Sequence, residues 1–212
     1  MLQGRGCFSP GSRVAGCFPR ARARRCCALR HLTRDNCHRP RLSGAIIQKE
    51  HAVYPTKNDL PETARTKIVD LCNARLADAI DLQTQCKHAH WNVKGPDFIA
   101  LHELFDKVTE DVEDYVDLIA ERAVQLGGVA EGTARSVVKR STLSEYAPKT
   151  NAGRDHVEAL SSALAAFGKI VRHAIDQSSE LKDADTADIF TEVSRGVDKW
   201  LWFVEAHVQA DR

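Results

Sequence analysis

The sequence predicts an all-α fold, a four-helix bundle with one long crossover connection, and three observations carry that expectation. No segment alternates apolar and polar residues over the length of a strand. Four long stretches instead repeat apolar residues every three or four positions. Between the second and third of these, residues 127–150 are too long for a tight hairpin. Such a length is expected where a chain returns from one end of a bundle to the other.

Taken in order, the first helix is expected from Glu62, with Pro61 in its first turn and Asp59 or Leu60 near the cap. Val69, Cys72, Leu76, Ile80, Gln83 and Lys87 trace its line, and Gly95-Pro96 breaks it near Lys94. The second helix runs from about Asp97 to Leu126 and stops at Gly127-Gly128. A short helix is expected inside the connection, around Leu143 to Tyr146. The third helix spans about Ala152 to Ser179, where Val157, Leu160, Leu164, Phe167, Val171 and Ile175 recur at helical spacing. The fourth begins after Asp183 or Asp185 as cap and carries Ile189, Val193, Trp200, Leu201 and Val204.

With 212 residues, 43% hydrophobic and 28% charged, the chain has enough length for one folded domain with a real core. No apolar run approaches the ~20 residues of a membrane span. A net charge of +1 hides an asymmetry. Residues 1–44 hold ten Arg, no Lys and a single acid, Asp35, which leaves 20 basic and 28 acidic residues after position 44, a net of −8. Five of the seven cysteines also fall there, without a CxxC pair, which argues against a zinc site. Residues 1–50 therefore read as a basic N-terminal extension and 51–212 as the folded domain, with a lead-in carrying Lys49, His51 and Lys57. Three readings of the extension stay open: a disordered basic arm for DNA phosphates, an organellar transit peptide, or upstream reading frame joined to the true start. Secretion fits poorly, because no clean apolar region with a cleavage motif follows the start. Cys72 and Cys86 read as small core hydrophobes of a reducing compartment.

The stretch from His90 to Glu121 organises the rest. His102 and Asp106 are four apart, as are Asp117 and Glu121, so each pair shares a helix face. Eleven residues separate Asp106 from Asp117, roughly 16 Å along one helix and nearly the same face. All four side chains lie on one stripe, yet the two pairs cannot reach one ion. A two-fold axis pairing this helix antiparallel with its copy would join each His102/Asp106 half to the other chain's Asp117/Glu121 half, giving two identical sites per dimer, with His90 arriving from the preceding helix. Imidazole with carboxylates suits an oxidisable divalent metal such as iron, and the lack of thiolates disfavours structural zinc.

A single HxxxD or DxxxE pair is ordinarily a solvated face. Here both pairs are in phase, a third His stands beside a Trp, and Phe98, Leu101, Phe105, Val112 and Ile119 supply apolar neighbours. Trp91 suits packing in the dimer seam, or electron donation if the metal reacts with peroxide. His88 is two steps round the helix and is expected to point elsewhere. His156, His173 and His207 lack carboxylates at matching spacing and read as surface or packing residues. There is no Ser/His/Asp set, P-loop or GxGxxG after a strand. The Glu-x-x-His motif of intrachain di-iron bundles is absent from the metal-bearing helices.

The segments AHWNVKGPDFIALHELFD and DLIAERAVQLGG, with the late DKWLWFVE, resemble the Dps family, over a span from about Tyr54 to Glu205. The resemblance implies a ferritin-like bundle assembled as a hollow dodecamer built from dimers. It further implies a ferroxidase-type oxidoreductase that takes iron as Fe(II), oxidises it preferably with hydrogen peroxide, and stores ferric mineral. Carried onto this chain, the metal ligands are His90, His102 and Asp106 of one subunit with Asp117 and Glu121 of its partner, and Trp91 is a candidate electron donor. Cytoplasmic, nucleoid-associated location and non-specific DNA binding under starvation or oxidative stress are implied as well. The rival reading is a nucleoid-compacting structural DNA-binding protein whose metal site is incidental; iron oxidation without DNA separates the two.

Overall fold

The computed structural model describes residues 54–147 and 149–210; the extension, with the readings placed on it and on Lys49 and His51, lies outside the described residues. Five helices follow in order: α1 Glu62–Asn92, α2 Phe98–Gln125, α3 Ala134–Arg140, α4 Gly153–Glu180 and α5 Ala184–Gln209. Among the described residues there is no strand, only an isolated bridge between Lys94 and Ala152. No helix there is long and apolar enough to cross a membrane.

Punctuation in the sequence explains the boundaries. Pro61 is itself the N-cap of α1, one place earlier than the first-turn position expected for it, and neither Asp59 nor Leu60 caps. Helix α2 ends in a Schellman turn: Gly127 takes φ 89°, its N–H donates to Val124 O, and Gly128 N–H reaches back to Ala123 O. Helix α4 ends the same way with Lys182 at φ 64°, a conformation that usually falls to glycine. Asp183 then caps α5 by accepting from Thr186 N–H.

The four long helices form two antiparallel pairs, α1 with α2 and α4 with α5, closed on one another around a shared core. Phe105, Phe167 and Phe190 are fully buried there, each contributing about 1.5–3 kcal/mol by leaving water. The inner stripe of α1 departs from the expected line. After Leu76 it passes through Ala79, Leu82, Cys86 and Ala89, while Ile80, Gln83 and Lys87 stay partly exposed. Small residues carry the close contacts on that face, so the apolar period is muted.

The connection does run the length of the bundle, and α1 holds it in place. Asn73 bonds Val129 O and Glu131 N–H, the Asp78 carboxylate accepts from Thr142 N–H and hydroxyl, and Gln85 donates to Ser144 O. Lys94 N–H then meets Asn151 O. From residue 73 to the end of α1 this ladder covers roughly 29 Å of helix. The short helix of the connection is α3, at Ala134–Arg140, and not the turn expected around Leu143 to Tyr146. The latter segment is irregular, with Gln85 of α1 donating to Ser144 O and His156 of α4 meeting the Tyr146 hydroxyl.

Candidate metal centre

His90 stands in the last turn of α1 and His102 in the second turn of α2, and the Gly95 corner at φ 120° folds one onto the other. The two side chains lock each other. His90 Nδ1–H donates to His102 O at 2.8 Å, and His102 Nδ1–H donates to His90 O at 2.8 Å. The rings stack with centroids 3.7 Å apart. One of these bonds also satisfies a carbonyl that the end of α1 would otherwise leave open. A carbonyl only accepts, so both Nδ1 atoms carry the proton and both Nε2 lone pairs remain free. That arrangement is how ligating histidines are usually oriented.

Asp106 lies one turn beyond His102, with Oδ1 3.8 Å from His90 Nδ1. Lys87 hydrogen-bonds the same carboxylate. That bond holds the Asp106 carboxyl below the usual carboxylate range against the opposing effect of burial. The sequence places Lys87 on the line of the first helix and not in the site, although it precedes His90 by three positions on the same face of α1.

The other expected pair is elsewhere. Asp117 and Glu121 lie exposed further along α2, on the stripe shared with His102 and Asp106. Within one chain, His90, His102 and Asp106 come together and Asp117 and Glu121 do not join them. Among the described residues no three His, Cys, Asp or Glu side chains converge closely enough to hold an ion. Trp91 is exposed, at 69%, beside a groove lined by Lys87, Asp106, Glu110 and Glu113.

His156 and His88 both meet Tyr146 of the crossover. Of the two readings given for His156, surface or packing, burial fits packing, and its Nδ1 is 2.6 Å from the Tyr146 hydroxyl. His88 does point away from His90, with its ring edge-on to Tyr146. A carboxylate partner shows in the sequence as helical spacing, whereas a phenol arriving from the crossover leaves no such signal. Cys72 and Cys86 are buried free thiols, as expected.

The ferritin-like domain model matches residues 69–212. A "DNA protection during starvation protein" of Agrobacterium fabrum is 46% identical over 156 residues, 74% of this chain and 96% of that protein. Among solved structures, DpsA14 from Streptomyces coelicolor superposes with a TM-score of 0.72 at 31% identity, covering 75% of this chain and 94% of its own. Mycobacterium smegmatis Dps gives 0.69 at 30%, covering 74% and 93%. The helices, their crossover and these likenesses agree: the chain belongs to the Dps family of ferritin-like proteins.

Proposed function

We propose that this protein takes up Fe(II), oxidises it with hydrogen peroxide at sites shared between two subunits, and stores the ferric product within a hollow oligomer, a dodecamer built from dimers. The observation that carries the reading is the reciprocal His90–His102 lock, which leaves two Nε2 donors free in the same corner as Asp106, where the described residues form no complete ligand set. Asp117 and Glu121 from a second copy, brought over by an antiparallel α2–α2 contact, supply the missing carboxylates. Their exposure and their phase with Asp106 fit that contact.

The chemistry follows from the donor set. Imidazole nitrogens bind Fe(II) without adding charge, and three carboxylates favour Fe(III), the harder cation. Peroxide accepts two electrons, one from each of two Fe(II) ions, and with two protons leaves as two waters. Lys87 holds one oxygen of the Asp106 carboxylate, and the second oxygen is the one a metal would take. Trp91, beside His90, is placed to return an electron when a one-electron oxidant escapes the site. The membership itself supports an iron-handling role, and the name of the Agrobacterium relative supports DNA protection.

Asp117→Ala and Glu121→Ala test the reading. Each should slow peroxide-dependent Fe(II) oxidation by about 10-fold or more, the scale of losing a ligand or its support, with helix content unchanged. Wild-type initial rates in both variants would place the site elsewhere.

A further inference from the structure

A second constellation lies on the other side of α1 from the His90–His102 lock. Tyr146, on the crossover, is 2.6 Å from His156 Nδ1 on α4. His156 is buried, and burial together with neighbouring His88 pushes its pKa down, so the ring is neutral and able to take a proton. Nε2 has no hydrogen-bond partner among the described residues, and a neutral imidazole nitrogen is a far better acceptor than a phenol oxygen. Tyr146 therefore donates its hydroxyl to Nδ1. Burial pushes the phenol well above its ordinary value, so Tyr146 does not ionise on its own.

On its other side Tyr146 meets the His88 ring edge-on, with centroids 5.1 Å apart. His88 is one turn before Trp91 on α1, and positions three apart are neighbours on a helix surface. His88, Trp91 and Tyr146 line one surface cavity of about 620 Å³. An exposed indole, an intervening imidazole and a phenol bonded to a neutral buried base thus lie in sequence.

We propose that Tyr146 and His156 form a radical sink for Trp91. A one-electron oxidant of the hydroxyl-radical class takes an electron from the Trp91 indole and leaves as hydroxide. Tyr146 then returns one electron to the indole, and in the same step its O–H bond breaks and the proton moves to His156 Nδ1. The products are a restored indole, a neutral phenoxyl radical and an imidazolium, so charge and electrons balance. Without His156 the oxidised phenol would have no base at hydrogen-bond distance to take its proton as the electron leaves. The relay is independent of the iron reading, because the oxidant can be supplied with no metal present.

The experiment uses the full-length, metal-free protein and azide radicals made by pulse radiolysis, a one-electron oxidant that attacks indoles. In wild type, phenoxyl absorption should grow as the indolyl signal decays, and the growth should be slower in D2O because a proton moves with the electron. Tyr146→Phe and Trp91→Phe should each lose most of the phenoxyl yield, while Tyr115→Phe, removing the phenol beside Gly196, should keep it. A wild-type yield in Tyr146→Phe or in Trp91→Phe overturns the relay. Equal growth rates in H2O and D2O overturn the role of His156. The D2O comparison needs no variant, so it decides even if a substitution disturbs folding.

Discussion

Single residues show how burial sets chemistry here. Cys72 and Cys86 are enclosed in the core, and burial pushes both thiols up to about 12 from a usual 9.0. The folded state therefore keeps protons that the unfolded chain releases. A group raised on folding stabilises the protein below its unfolded pKa, and that contribution is lost as pH climbs from about 9 towards 12. We expect unfolding stability to fall with rising pH in this window. Replacing both cysteines by Ala should flatten the slope, as denaturant titrations at several pH values would show. The same thiols should resist alkylation at pH 8 until the chain unfolds, because the thiolate is the nucleophile. Mass mapping that finds either one modified in the native state would contradict the buried placement. His90 and His102 illustrate the opposite use of enclosure. Their Nδ1 atoms are spent on backbone carbonyls, which fixes where the remaining nitrogens can act.

At the level of elements, the start of α5 is tied to the end of α2 by one buried polar cluster. Arg122 donates to Asp183 at 2.7 Å and to the Thr186 hydroxyl at 2.8 Å, and both charged groups are almost fully buried. Asp183 is at once ion-pair partner and N-cap of α5. Asp183→Ala leaves a buried guanidinium short of its carboxylate and should cost about 3–5 kcal/mol. A loss below about 1 kcal/mol in denaturant unfolding would show that Asp185, 3.8 Å away, takes over. Element boundaries were legible because local signals made them: Gly95-Pro96, Gly127-Gly128 and Asp183 stop or start helices within one or two residues of the expected positions. The position of α3 was not legible. Thr142, Ser144 and Tyr146 take their partners from α1 and α4, up to 64 positions away in sequence, so nothing local marks that strap as irregular. Muted periodicity along Ala79, Leu82, Cys86 and Ala89 has a related cause, since close helix approach selects small residues of weak apolar contrast. Of the candidate site, the spacing within α2 was readable from sequence. The Lys87–Asp106 contact and the reciprocal histidine bonds arise only where α1 meets α2.

For the whole molecule, charge and symmetry set the expectations. The chain after residue 44 carries about −8, whereas residues 1–44 hold ten arginines. A body of that sign repels a duplex, so DNA binding should rest on the basic segment, repeated by avidity around an oligomer. Full-length protein should bind DNA without sequence preference. Affinity should fall with salt at a log–log slope near −0.9 per phosphate neutralised. A version starting near Gly44 should bind far more weakly yet oxidise iron equally well. Gel shifts at two salt concentrations check this, and equal affinity would move attention to Lys49, Lys57 and the folded surface. Symmetry bears on the central claim, that the oxidation site is divided between two copies of α2. One measurement addresses it directly: initial rates of Fe(II) oxidation by peroxide for two inactive variants, alone and after co-assembly. His102→Ala with Asp106→Ala removes one half of every site, and Asp117→Ala with Glu121→Ala removes the other. In a mixed dimer one site lacks both halves and its twin is complete, so activity should return in part. Confirmed mixing with no recovery would contradict the shared site.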